Sequence, residues 1–295
     1  MRKSTSVIIV AIAVASMSIA LADAAPTGKA QPNRIRIEYV SPKNPAHQML
    51  YDMIKEYRVL ETLQQIFSPV RLPRDLTIKT LGCEGLSDSW YETDDSVPTV
   101  PICYELLQDL LQTAPTETTP AGITRHDAVV GQLLFWASHE VGHAVFDIFQ
   151  VPIFGREEDA ADQFAGYILL QFGKGQAREF VGGAVYGFSE LVNEYKKNPE
   201  LKKRLEKYSG VHGLPEQRFY NLLCLAYGAN STEFADVVDK GYLPKSRADN
   251  CEYEFQTFQS AWRREIKPHI DLNMAKAVLD TTWLPQSSAQ PAPRR

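Results

Sequence analysis

The chain lacks the features that mark several function classes. Basic residues do not exceed acidic ones: Lys+Arg total 31 and Asp+Glu 36, a formal net charge of −5. A protein that neutralises phosphates needs a basic excess, so nucleic acid is not an expected partner. A polybasic contact with a membrane surface is equally unsupported. Beyond the N-terminus no run is long and apolar enough to span a bilayer, so the mature chain is not expected to insert stably in a membrane. There is no C-x-x-C and no internal repeat. Cysteine (4) and histidine (6) are scarce among 295 residues, so their positions are informative. What is present is ordinary for a globular protein: 44% hydrophobic and 23% charged residues. That composition excludes a disordered chain, a coiled coil and a collagen-like repeat.

The N-terminus reads as a secretory signal peptide over 1–24. Arg2 and Lys3 precede an apolar run from Val7 through Ala15 that continues less strictly to Leu21, and Ala22-Asp23-Ala24 has the small-x-small form of a cleavage site. The mature chain is therefore expected to be exported, periplasmic or secreted. In an oxidising compartment Cys83, Cys103, Cys224 and Cys251 are expected to form disulfides. Four cysteines allow three pairings. The simplest joins Cys83 to Cys103 and Cys224 to Cys251, leaving no free thiol.

Residues 25–33 form a polar lead-in. Arg34–Val40 alternates polar and apolar residues and reads as a strand. Leu76–Leu81 is a second strand, Trp90-Tyr91 a short third and Thr99–Cys103 a fourth. Pro101 places this last strand at a sheet edge, because proline cannot donate to a ladder. His47–Phe67 has helical spacing. After Cys103 the pattern turns helical. A helix apolar on most faces runs from His126 or Asp127 to Phe149, and being hydrophobic all round it should be buried. Further helices are expected at Glu157–Phe172, Ala177–Lys197, Pro199–Tyr208, Pro215–Tyr227, Thr232–Lys240 and Cys251–Ile266. The class is α+β: one domain over 34–284 with a small mixed sheet in 34–103 and a helical part over 104–284, then a low-complexity tail at 285–295.

His139-Glu140-Val141-Gly142-His143 is H-E-x-x-H inside the buried helix. Positions i and i+4 share a helical face, so both imidazoles can reach one ion while Glu140 reaches a water beside it. The motif arises by composition in roughly one chain of this size per hundred, so it needs support. Burying two histidines and a glutamate without a partner costs several kcal/mol, which a metal removes. A third ligand is available in Glu158, and Asp162 lies one turn on, placed to accept from the outer nitrogen of a ligand histidine. Glu157 shares no face with Asp162 and reads as a first-turn acid, so Glu158 is the preferred ligand. Ala160, Ala161, Ala165 and Gly166 would let this helix approach the histidine helix.

These residues resemble the zincin metallopeptidases of the gluzincin group, with H-E-x-x-H and the E-x-x-A-D of Glu158–Asp162. The latter is similar to the form in membrane-associated peptidases that cleave prenylated proteins. Over roughly 35–270 the chain resembles a bacterial metallopeptidase family long catalogued as a domain of unknown function. The matching stretches are Cys103-Tyr104-Glu105-Leu106-Leu107, the two motifs, His212-Gly213-Leu214 and Gln217-Arg218-Phe219-Tyr220. The resemblance implies a zincin-like fold and a peptidase label and brings no known substrate; with the residues above, the expectation is one zinc ion per chain on His139, His143 and Glu158, Glu140 as general base, and a peptide or protein as substrate. By the same analogy an edge strand, Thr99–Cys103, would hold an extended substrate. An oxyanion donor is also needed; His212 and Tyr220 are the first candidates and Arg218 the third, which could equally pair with a carboxylate. The competing readings are a zinc-binding, chaperone-like protein and a non-peptide zinc hydrolase. Oligomeric state leaves no mark in the sequence.

Overall fold

A computed structural model of the chain describes residues 33–93, 97–198 and 209–281. The expected signal segment, the C-terminal tail and the helix expected at Pro199–Tyr208 lie outside these residues. In chain order the described elements are β1 (Ile35–Tyr39), α1 (Gln48–Glu56), α2 (Val59–Phe67), β2 (Leu76–Leu81), β3 (Thr99–Cys103), α3 (Tyr104–Thr113), α4 (Arg125–Phe149), α5 (Glu157–Gln171), α6 (Lys174–Lys197), α7 (Pro215–Ala229), α8 (Ala235–Asp239), α9 (Lys245–Ala248), α10 (Cys251–Glu265) and α11 (Leu272–Leu279). The class is α+β, a small N-terminal sheet followed by helices.

The sheet order is β1-β2-β3 and both pairings are parallel, with Ile37 beside Ile78 and Ile78 beside Val100. Its antiparallel part is confined to isolated bridges, Ser89 with Ile102 and Glu92 with Thr99. These correct one expectation. The outer edge of β3 is not free for substrate, because Trp90 N–H donates to the Pro101 carbonyl (3.3 Å) and Glu92 and Thr99 exchange two bonds (2.9 Å each). The outer border of the sheet is thus the segment 88–92.

Periodicity over His47–Phe67 predicts one helix, but the chain breaks it between α1 and α2. Arg58 sits in the left-handed region at φ 52°, which an L-residue adopts only at some energetic cost. No glycine or proline announces the break. Helix α11 was likewise not expected; Asp271 starts it by accepting from the N–H groups of Asn273 and Met274 (3.1 Å each).

Helix α4 is the central element and packs against α3, α5, α6 and β3. A reciprocal cap fixes its start: Asp127 N–H donates to Thr124 Oγ1 (3.1 Å) and Thr124 N–H to Asp127 Oδ2 (2.9 Å). Its contact with α6 depends on glycine at both surfaces. A Cβ on Gly131 would stand 2.5 Å from the Phe180 carbonyl oxygen, and one on Gly183 1.9 Å from that of Asp127. Gly166 of α5 does not serve the contact with α4 as its position suggested. It faces α7, where a Cβ would meet Leu225 at 2.7 Å. Helix α5 is therefore held between α4 and α7.

Cys83 is bonded to Cys103 and Cys224 to Cys251, with Cα–Cα distances of 5.5 and 5.0 Å, and no cysteine is free. Glu105 organises the first bridge by accepting from the N–H groups of Cys83 (2.9 Å) and Gly85 (3.0 Å). Burial works upward on its carboxyl, but these donors outweigh it and hold the pKa below the usual range. The bridges close loops with separations of 20 and 27 residues. Each constrains the unfolded chain by about 3 kcal/mol. Thiol titration of the denatured, unreduced protein is expected to read zero, and replacing Cys224 and Cys251 together by Ser should lower unfolding stability by about that amount. A titre of two thiols per chain would contradict the pairing.

Candidate metal centre

Two helices build the site. His139, Glu140 and His143 project from the middle of α4, and Glu158 and Asp162 from the first turns of α5. The i, i+4 spacing puts both imidazoles on the face of α4 turned to α5. His139 Nε2 lies 3.0 Å from Glu158 Oε2, His143 Nε2 3.3 Å from the same oxygen, and the two Nε2 atoms 3.2 Å from each other. These three residues form a group whose donor atoms all lie within 4.8 Å.

The outer nitrogens are held as well. His139 Nδ1 is 2.9 Å from Asp162 Oδ1, as the i, i+4 pairing of Glu158 and Asp162 predicts. His143 Nδ1 is 2.8 Å from Glu157 Oε1. Glu157, read from the sequence as a solvated first-turn acid, thus orients the second histidine. Its side chain is 55% exposed, against 14% for Asp162, so its hold is the weaker one. Asp162 in turn accepts from Arg218 Nε (2.7 Å) and a terminal guanidinium nitrogen (2.6 Å). The buried Arg218 also lies over the rings of Trp136 (5.0 Å) and Phe188 (4.8 Å). Its role is to fix Asp162, so it is not placed as an oxyanion donor. Arg218→Leu would leave a buried carboxylate short of its cation. Denaturant unfolding should then show a loss of about 3–5 kcal/mol.

The donor set suits a metal ion. Two imidazole nitrogens and a carboxylate oxygen converge on one point, and without an ion only protons can make those contacts attractive. Metal-free, burial pushes the His139 imidazole down, yet the carboxylates of Asp162 and Glu158 more than offset it and draw the pKa up to about 9. His143 is raised for the same reason, burial acting downward and Glu158 and Glu157 upward. Burial works upward on Glu158, but His139, His143 and His212 hold it far below the usual carboxylate range. The separations of 3.0, 3.2 and 3.3 Å match those between ligands of a tetrahedral ion, about 3.3 Å for bonds of about 2.0–2.1 Å.

Glu140 stands apart from this triangle. It is 6% exposed, and burial pushes its pKa up to about 7. Ser89 Oγ donates to its Oε1 at 3.3 Å. Ser89 belongs to the segment bridged to β3 and carries no motif or spacing that could have marked it. Tyr91 fastens the same segment to α4 by donating to Asp147 (2.7 Å). The group opens onto a cavity of about 1320 Å³ lined by Ser89, His139, Glu140, His143, Glu158 and His212 among others.

His212 is brought to the centre: its Nε2 is 2.8 Å from Glu158 Oε2, and its ring stacks with that of His139 at 5.9 Å. Tyr220 is not. It is 38% exposed on α7 and lines a second cavity of about 490 Å³ with Arg156, Asp159 and Arg247. Three residues on from Gln217 of that cavity, its position on α7 turns it away from the histidines.

Comparison with protein families matches residues 39–266 to the family described as “Putative metallopeptidase”. The match covers more than half of the chain. The chain belongs to this family. Both helices that carry the triangle, the segment with Ser89, His212 and Arg218 all fall inside the matched region. Neither a curated protein nor a solved structure matches the chain.

Proposed function

We propose that the chain is an exported zinc-dependent peptide hydrolase. One observation carries this reading: a carboxylate and two imidazoles converge within 4.8 Å at the wall of an open cavity, with a separate buried glutamate beside them. His139, His143 and Glu158 would hold the ion, whose chemistry is to polarise a carbonyl and to acidify water at a fourth, open position. Glu140 takes a proton from the attacking water and delivers it to the leaving amine. Glu140 is buried beside the three donors without belonging to them, a position suited to both roles. The Ser89 hydroxyl holds Glu140 in place. His212, half exposed in the same cavity, is the donor assigned to the developing oxyanion. Tyr91 lines the cavity, and its N–H makes no ladder bond to β3. An extended peptide can pair there by strand addition. The two disulfides support export, as does the signal-like N-terminus. Among the described residues no helix is long and apolar enough to cross a membrane.

The test is casein cleavage. The zinc-loaded chain should cleave, a chelator should stop it, and added zinc should restore it. A wild-type chain that holds zinc and cleaves no peptide contradicts the reading.

A further inference from the structure

Of the stretches that carry the family resemblance, Cys103-Tyr104-Glu105 takes no part in the proposed chemistry. It stands where β3 ends and α3 begins, at the corner closed by the Cys83–Cys103 bridge. Two groups of metal-ligating side chains converge among the described residues. One is His139, His143 and Glu158. The other is Cys83, Cys103 and Glu105, whose donor atoms also lie within 4.8 Å of one another. While the bridge is formed the two sulfurs are bonded to each other, and this group has only a carboxylate to offer. Reduction would free two thiolates beside it.

A second observation is independent of those three residues. His47, in the turn before α1, is 4% exposed, and its Nδ1 is buried without a hydrogen-bond partner. A buried polar atom normally has one. The surroundings place this nitrogen at the same corner. A Cβ on Gly82, the residue before Cys83, would stand 3.8 Å from it. The imidazole also packs 5.7 Å from the ring of Tyr104, the residue between Cys103 and Glu105. Burial works upward on the Glu105 carboxyl, and the N–H groups of Gly85 and Cys83 work downward together with the charge of His47. His47 is therefore within electrostatic reach of Glu105.

Two thiolates, an imidazole and a carboxylate are a donor set for zinc rather than for calcium or magnesium. Four protein ligands would make a closed, structural site. We propose that, with the Cys83–Cys103 bridge reduced, Cys83, Cys103, Glu105 and His47 bind a second zinc ion. Glu105 keeps oxygen lone pairs beyond those that accept from Cys83 and Gly85 N–H, and these bonds would orient it as a ligand. Bonds of about 2.3 Å need the sulfurs about 3.8 Å apart, so Cys83, in the turn after β2, must draw away from Cys103 on reduction. A trialkylphosphine supplies the two electrons that break the S–S bond and becomes its oxide, water giving the oxygen and the two thiol protons. Zinc then displaces those protons. In the reverse direction a small disulfide accepts two electrons from the thiolates by exchange, the Cys83–Cys103 bond forms again and zinc leaves. The ion would thus close, under reducing conditions, the loop that the bridge closes under oxidising ones. That loop carries Ser89, and Cys103 N–H fastens it by donating to the Asp88 carbonyl (3.1 Å). The inference does not depend on peptide hydrolysis.

The test is titration of the whole chain, reduced with a trialkylphosphine, using cobalt(II) as the probe for zinc. Cobalt bound to thiolate gives a charge-transfer band in the near ultraviolet. The centre of His139, His143 and Glu158 has no sulfur and cannot give it. In the reduced wild type the band should saturate at one thiolate-bound ion per chain and be bleached by zinc, and the unreduced chain should show none. Replacing Cys83 and Cys103 together by Ser should abolish the band, whereas replacing Cys224 and Cys251 should keep it. His47→Asn should weaken cobalt by more than the roughly 10- to 100-fold that an outer partner of a ligand is worth. This comparison decides even where a cysteine pair is needed for folding, because it alters no bridge. No band in the reduced wild type, a band that survives the loss of Cys83 and Cys103, or a His47→Asn chain that binds as tightly as the wild type overturns the site.

Discussion

Glu140→Gln is expected to keep its metal and to lose about 100- to 10,000-fold in peptide cleavage, the range of a positioned general base. Its carboxylate is outside the group of three converging donors, so an isosteric amide should leave zinc content unchanged. It should remove the proton-accepting carboxylate that the proposed mechanism assigns to Glu140. An amide oxygen is not a base that can take that proton. The Ser89 hydroxyl can still donate to the amide oxygen, so the local fold should survive. Metal analysis beside a cleavage assay reads both halves of the result. A variant that empties the site would make Glu140 a ligand, and one that cleaves normally would remove it from the chemistry.

Glu158→Ala should be the most damaging change to metal affinity on α5. Its Oε2 lies within 3.3 Å of both ligand imidazoles, so the substitution deletes a donor atom and a negative charge together. What remains is a two-histidine site, below the three protein ligands that a catalytic zinc needs. Asp162 and Glu157 only orient the histidines, so Asp162→Ala and Glu157→Ala should each weaken zinc by about 10–100-fold, less than Glu158→Ala does. Asp162 should stand at the upper end, being buried and bonded to Arg218 as well as His139. Glu157 should stand at the lower end, because its more exposed carboxylate is hydrated in competition with His143. Competition with a chelator gives the order. If Glu157→Ala proves the worst of the three, the ligand has been placed one residue out of register.

What was legible in the sequence is what spacing along a single element encodes. The i, i+4 pairs His139/His143 and Glu158/Asp162 needed only helices at those positions, and the burial of α4 follows from its apolar flanks. The chemical role proposed for Glu140 rests on its place in the motif. The resemblance to a metallopeptidase family rests on the same residues and agrees with the family match over 39–266. The parts that were not legible join segments far apart in the chain. Ser89 meets Glu140 across 51 residues, and Arg218 meets Asp162 across 56; neither leaves a local pattern. Glu157 reaches His143 because of how α4 and α5 cross, and first-turn acidity already explained it. Tyr220 had no more support than its neighbours, and the rotation of α7 sends it to another cavity. The break at Arg58 eluded periodicity because the apolar spacing continues across it.

The account turns on whether the site is an open, catalytic one. His212 lies 2.8 Å from Glu158, close enough that a small shift would bring it to the ion and close the site as a structural one. The deciding measurement is an anomalous-difference map at the zinc edge from crystals of the zinc-loaded chain. The account predicts one peak per chain, with His139 Nε2, His143 Nε2 and a Glu158 oxygen at about 2.0–2.2 Å and a solvent oxygen in the fourth position. A peak ligated by His212 as a fourth protein donor, or no peak between α4 and α5, would contradict it.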